Sequence, residues 1–253
     1  MNLRDFSFAK LFVFFVVLLS LLNFIKFLGS PNSIAGQTVS SKMLLSFKDK
    51  LPEGQGLVDI DYVKRILNRC RYYIKQEEVV VRMLREWQNL ILSNKSISEI
   101  DKLKKVNQFF NQLEFVNDID NWGEEDYWAT PVEFIVCQAG DCEDFSIAKY
   151  FTLKKLGVDE NKLNLTYAKA VELNQAHMVV TYYEQPEAEP LVLDNLIDEI
   201  KPASLRPDLL PVFSFNGIGL WLAKERGRGK LVGNSSRYKH WQDLLGRMPE
   251  GLN

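Results

Sequence analysis

Three cysteines and two histidines are the scarce reactive side chains in a chain of 253 residues. A cysteine that acts as a nucleophile near neutral pH needs a base within hydrogen-bond reach. His240 stands in a polar tail beside Tyr238 and Lys239 and reads as a surface residue. His177 opens an apolar run, 177–183, directly after a polar turn at 172–175. Among the cysteines, Cys142 follows Gly140-Asp141 and opens a stretch with helical patterning. A helix starting there brings the positive end of its dipole to the sulfur, which favours the thiolate. Gly140 lets backbone approach closely at this point. Asp194 closes the next apolar run, where a carboxylate can fix the tautomer of an imidazole on a neighbouring strand. Cys142 as nucleophile, His177 as base and Asp194 as the acid that orients the base make an acyl-transfer triad. Each also has a plainer reading, since a lone cysteine near a helix start is usually a small buried hydrophobe. A lone histidine at a strand start is more often structural.

The acids around Cys142 oppose this chemistry. Asp141, Glu143 and Asp144 put three carboxylates beside a thiol that must itself become negative, and that raises its pKa. They are either a solvated helix start, where carboxylates are favoured, or ligands for a hard cation such as Ca²⁺. Charge alone leaves both readings open. The backbone N–H of Cys142 is a candidate oxyanion donor. Trp122 and Trp128 offer indole N–H groups, although both also suit a core. Cys70, on a helical stretch, and Cys137 receive no role. An odd cysteine count leaves at least one thiol unpaired.

The elements that position these residues follow from periodicity. Met83, Trp87, Leu90 and Ile91 share one helical face. Ser96 to Glu99 reads as a capping box, and the helix it opens is expected to bury Ile100, Leu103, Phe110 and Leu113. Residues 117–131 are rich in turn formers and read as a loop. The helix at 143–156 has Phe145, Ala148 and Phe151 on one face and Gly157 at its C-terminal cap. Residues 165–171, 177–183 and 190–196 read as three strands. Helices first and an antiparallel sheet after them make an α+β domain. From Ser204 onward the chain reads as loop-rich, with Trp221 and Trp241 as anchors.

With 46% apolar residues the chain can bury a core in one domain. A net charge of −2 gives no basic surface for a nucleic acid, so no nucleic-acid partner is expected. Arg4 and Lys10 precede an apolar run at 11–22. That is the pattern of a secretory signal and is short for a membrane-spanning helix. Residues 1–35 are therefore expected to be a signal peptide or an N-terminal membrane anchor, with residues 36–253 as the exported domain.

Taken together, Asp126 to Pro131, Gly140-Asp141-Cys142-Glu143-Asp144-Phe145, Ala148-Lys149-Tyr150, His177-Met178-Val179 and Leu193-Asp194-Asn195 resemble the bacterial transglutaminase-like cysteine proteases, in particular the periplasmic LapG-type proteases. The resemblance runs from about residue 40 to the C-terminus. It implies a papain-like core, a triad of Cys142, His177 and Asp194, and Ca²⁺ held by Asp141, Glu143 and Asp144. It also implies a large repeat adhesin as substrate, cut near its N-terminal retention module so that biofilm disperses. An inner-membrane cyclic di-GMP receptor is the implied regulatory partner. A transglutaminase using the same triad, or a non-catalytic module on the same fold, are the rival readings.

Overall fold

The computed structural model describes residues 60–72, 77–222, 229–235, 238–249 and 251–252. All belong to one compact unit, Val39–Asn253. The apolar run at 11–22 and the segment around residue 35 lie outside the described residues. Among those described, no helix is long and apolar enough to cross a membrane.

Among the described residues six helices come first: α1 (Ile60–Leu67), α2 (Glu77–Ser93), α3 (Glu99–Phe110), α4 (Asp118–Asn121), α5 (Pro131–Cys137) and α6 (Cys142–Lys155). Two short strands, β1 (Glu114–Phe115) and β2 (Ala139–Gly140), pair in parallel just ahead of α6. The remaining strands are β3 (Leu163–Ala170), β4 (Gln175–Tyr182), β5 (Leu191–Leu193), β6 (Lys201–Pro202), β7 (Leu209–Phe215), β8 (Leu220–Leu222) and β9 (Leu231–Gly233). They form one antiparallel sheet in the order β6-β5-β4-β3-β7-β8-β9, and α7 (Lys239–Arg247) closes the chain. The α+β class read from the sequence is the class observed.

The centre of the fold is α6, packed on β4 and β3 on one side and against α3 and α5 on the other. Its residues are buried nearly all round, Phe145, Ala148 and Phe151 among them. Trp87 of α2 packs into the same core and donates its indole N–H to Thr152 Oγ1 at 2.8 Å. Gly157 stands just past the end of α6 at φ +83°, the left-handed conformation that ends helices.

Several boundaries differ from the sequence reading. The cap of α3 is Ser98, not Ser96: Ser98 Oγ accepts the Asp101 amide, so the helix starts later and turns Ile100 outward at 41% exposed. Leu103 and Phe110 are buried, while Leu113 lies past the helix end. The segment 117–131 contains α4 and leads into a capping box in which Thr130 and Glu133 bond reciprocally at the start of α5. The tail holds three strands and α7. β8 and β9 are short, and Pro211 interrupts the pattern of β7 where the register against β3 shifts. A proline has no N–H to donate, which suits such an irregularity. Trp221 and Trp241 are both buried, as expected of anchors.

Candidate active site

The nucleophile's position is set by the start of α6. Asp141 caps it in extended conformation, its carboxylate accepting the Glu143 amide at 3.2 Å. Cys142 is thus the first helical residue. Gly140 is required here, because a Cβ would fall 2.3 Å from Asp144 Oδ2 and 2.9 Å from the Phe134 ring. The close approach that its lack of a side chain permits is to a carboxylate of the site rather than to a substrate.

His177 and Asp194 meet as the sequence suggests. His177 Nε2 lies 2.7 Å from Asp194 Oδ1, with both side chains buried. Asp194 Oδ1 also accepts the Leu196 amide at 3.1 Å. With Nε2 turned to the acid, Nδ1 is the ring atom left to exchange a proton. Cys142 reaches this strand through main chain: the Met178 amide, next after His177, donates toward the sulfur. Ser146, one turn along α6, donates to the Met178 carbonyl at 2.9 Å. The Cys142 thiol itself donates to Glu143 Oε2 at 2.7 Å rather than to His177.

Arg206 is a site residue that the sequence reading missed. Its guanidinium is buried and donates to Asp194 Oδ2 at 2.6 Å and to Asp208 Oδ2 at 2.7 Å. Burial alone would raise the Asp194 carboxyl, but hydrogen bonds from His177 and Arg206 outweigh it and hold the group at about 2. Nothing in Ser204-Leu205-Arg206-Pro207-Asp208 marks this arginine, which reaches the acid only because β5 and the turn before β7 fold together.

The acids beside the sulfur divide into two groups. Glu143 faces the thiol, and its other oxygen accepts Tyr167 Oη at 3.4 Å. Asp141 and Asp144 instead join Asp118, a third acid that the sequence reading did not single out. One oxygen from each lies within 4.8 Å of the others. Asp118 Oδ2 accepts the Tyr127 amide and Asp144 Oδ1 the Ala129 amide, whereas Asp118 Oδ1 and Asp144 Oδ2 are buried without partners. Burial, and then the charges of neighbouring acids, push all three carboxyls up, Asp118 to about 7. Burial, and then the charges of Glu143 and Asp141, push the Cys142 thiol up as well. Converging buried oxygens with no donor are what a hard cation needs, so these residues fit one. Glu143 completes a second grouping, with Asp141 and the Cys142 sulfur.

Cys70 and Cys137 form a disulfide that ties the chain just past α1 to the end of α5, five residues ahead of the nucleophile. Cys142 is the remaining, free thiol. Trp122 and Trp128 are buried with their indole N–H groups unpartnered, so neither hydrogen-bonds Cys142, His177 or Asp194. His240 packs on Trp128 and lies 3.6 Å from Asp126.

A family model for bacterial transglutaminase-like cysteine proteinases matches residues 61–206, which include Cys142, His177, Asp194 and Arg206. The chain belongs to this family. The proteinase is also similar to the solved structure of Legionella pneumophila LapG, with 46% identity over 74% of this chain and 97% of that one and a TM-score of 0.61. The EGTA-treated form of that protein aligns at 47% identity, 74% and 97% coverage and TM-score 0.62. The calcium-bound form aligns at 46%, 74% and 98% coverage and TM-score 0.60. A comparison with curated proteins returns no match. The proteinase is therefore a cysteine protease with a transglutaminase-like fold.

Proposed function

We propose that this protease is a calcium-dependent, exported endopeptidase that cuts a large surface adhesin by way of Cys142, His177 and Asp194. In this reading Cys142 attacks the scissile carbonyl as thiolate. His177 Nδ1 takes the thiol proton and returns it to the leaving amine. Asp194, held by Arg206, keeps the imidazole in the tautomer that leaves Nδ1 available. The Cys142 amide, at the open end of α6, is the donor offered to the oxyanion.

The observation that carries the calcium reading is the trio Asp118, Asp141 and Asp144 with its unpartnered buried oxygens. These three would hold the ion, and Glu143, which groups with Asp141 and the Cys142 sulfur, would be a further ligand. When bound, the ion would neutralise the acids that now oppose the thiolate. That a calcium-bound form of a 46% identical protein has been solved supports the same reading. Export is supported by the Cys70–Cys137 disulfide, a bond that persists in oxidising compartments, and by the basic-then-apolar N-terminus. The adhesin substrate and control by an inner-membrane cyclic di-GMP receptor rest on the resemblance to LapG-type proteases.

The test is cleavage of N-terminal adhesin fragments encoded in the same genome, in EGTA, Ca²⁺ or Mg²⁺. Cleavage restored by Ca²⁺ and poorly by Mg²⁺, which prefers smaller octahedral sites, is the expected result. Full activity in EGTA would leave the acids as a helix cap only.

A further inference from the structure

Arg247 is the last residue of α7 and lies beyond residues 61–206, the stretch shared with the family. The helix is anchored by buried Trp241, whose ring stacks on Phe151 of α6 at 5.6 Å. The guanidinium of Arg247 spans three acceptors. Nη1 donates to Glu133 Oε2 and to Tyr127 Oη, and Nη2 donates to the Trp128 carbonyl. Its Cζ also lies 4.3 Å from the centre of the Tyr127 ring. The ion pair with buried Glu133 accounts for a cation at this position. It does not account for the grip on Trp128, which the single ammonium of a lysine placed on Glu133 would forgo.

The Trp128 carbonyl belongs to the same peptide unit as the Ala129 N–H. That N–H donates to Asp144 Oδ1 at 2.7 Å, and two peptides earlier the Tyr127 N–H donates to Asp118 Oδ2. Each bond occupies one oxygen of its acid and leaves the other, Asp144 Oδ2 or Asp118 Oδ1, buried and unpartnered. The short stretch 127–129 therefore decides which carboxylate oxygens remain for a cation. A planar trans peptide cannot turn its C=O without turning its N–H. The guanidinium that holds one end of the 128–129 peptide thus sets the aim of the other. A charged donor on the carbonyl also polarises the N–H, which strengthens its bond to Asp144.

We propose that Arg247 is a positioning residue for the calcium site: by holding the Trp128 carbonyl it fixes the peptide that orients Asp144, and so the C-terminal helix sets the affinity for the ion. The proposal rests on reading Asp118, Asp141 and Asp144 as that site. Arg247 bonds none of these acids and acts on them through main chain.

The experiment is calorimetric titration of Ca²⁺ into the full chain, stripped with EGTA and desalted, so no substrate or turnover enters. Arg247→Met removes a positive charge, and charge alone would tighten the binding of a cation. Loss of the grip acts in the opposite direction. Losing a partner that orients a metal ligand costs about 10–100-fold in affinity, so Kd should rise at least about tenfold. Trp241→Phe is the control, because it loosens α7 in the core and leaves the guanidinium in place; its Kd should stay near that of wild type. If Arg247→Met is not recovered folded, Arg247→Lys is read in the same way, since it keeps the charge and can serve only part of the three acceptors. A Kd that is unchanged or lower in the Arg247 variant, or one that rises equally in Trp241→Phe, overturns the proposal while the calcium reading stands. A wild-type chain that takes up no Ca²⁺ overturns both.

Discussion

Replacing Arg206 with methionine tests the support behind the triad. The substitution keeps an unbranched stem but leaves Asp194 Oδ2 buried without its 2.6 Å donor. Breaking a buried ion pair by removing one partner costs about 3–5 kcal/mol. A second estimate comes from the acid itself. Asp194 is held at about 2 against a usual 3.8, which corresponds to roughly 2 kcal/mol of stability at neutral pH shared between His177 and Arg206. The acid's pKa is depressed on folding, so this stability is present above pH about 4 and is lost as pH falls toward 2. Arg206→Met should therefore lose a few kcal/mol at pH 7, a drop in melting temperature of about 5–15 °C, and lose its remaining acid stability at a higher pH than wild type. Peptidase activity should fall at least about tenfold, because the imidazole loses a fixed partner; removal of an orienting acid costs about 10⁴-fold in a serine triad. Asp208→Ala is the control. That carboxylate is 34% exposed, and removing it should cost no more than about 1 kcal/mol. Thermal melts from pH 3 to 8, with kcat/KM measured on the same samples, give the answer. An Arg206→Met protein that melts and cuts like wild type would mean that His177, the Leu196 amide and Asn111 hold Asp194 without the guanidinium.

Calcium should raise the melting temperature by about 5–10 °C at a hundredfold excess over Kd, and Asp118→Asn should abolish most of that shift in differential scanning fluorimetry; an undiminished shift places the ion elsewhere. Reduction of the Cys70–Cys137 bond, which closes a loop of 67 residues, should cost about 4 kcal/mol in urea titrations. Cys137→Ala should keep its catalytic activity at 25 °C while losing that stability. Thiol titration of the unreduced, unfolded chain should find one thiol per molecule, and three would show that the disulfide is absent.

The three residues proposed as the triad stood out because each carries a local signal: a cysteine opening a helix just after Gly140-Asp141, a histidine at the head of an apolar run, an aspartate at the end of the next. The helices around them followed from apolar periodicity that the core enforces. Asp118 was hidden in a stretch with five acids between 118 and 126, where only the fold decides which one turns inward. Arg206 and the Cys70–Cys137 pair are long-range partners with no mark in their own neighbourhoods. The strands of the tail escaped because β8 and β9 have three residues each and β7 contains a proline, so none repeats long enough to show its period.

The central claim is that Cys142 is the nucleophile of a hydrolase. It is tested most directly by intact-mass analysis of an adhesin N-terminal fragment incubated with wild type and with folded Cys142→Ala, in Ca²⁺ and a primary amine. The wild type should give two products whose masses together equal the fragment plus one water, and Cys142→Ala should leave the fragment uncut. Cutting by Cys142→Ala at the wild-type rate, or an uncut fragment carrying the amine, would contradict it.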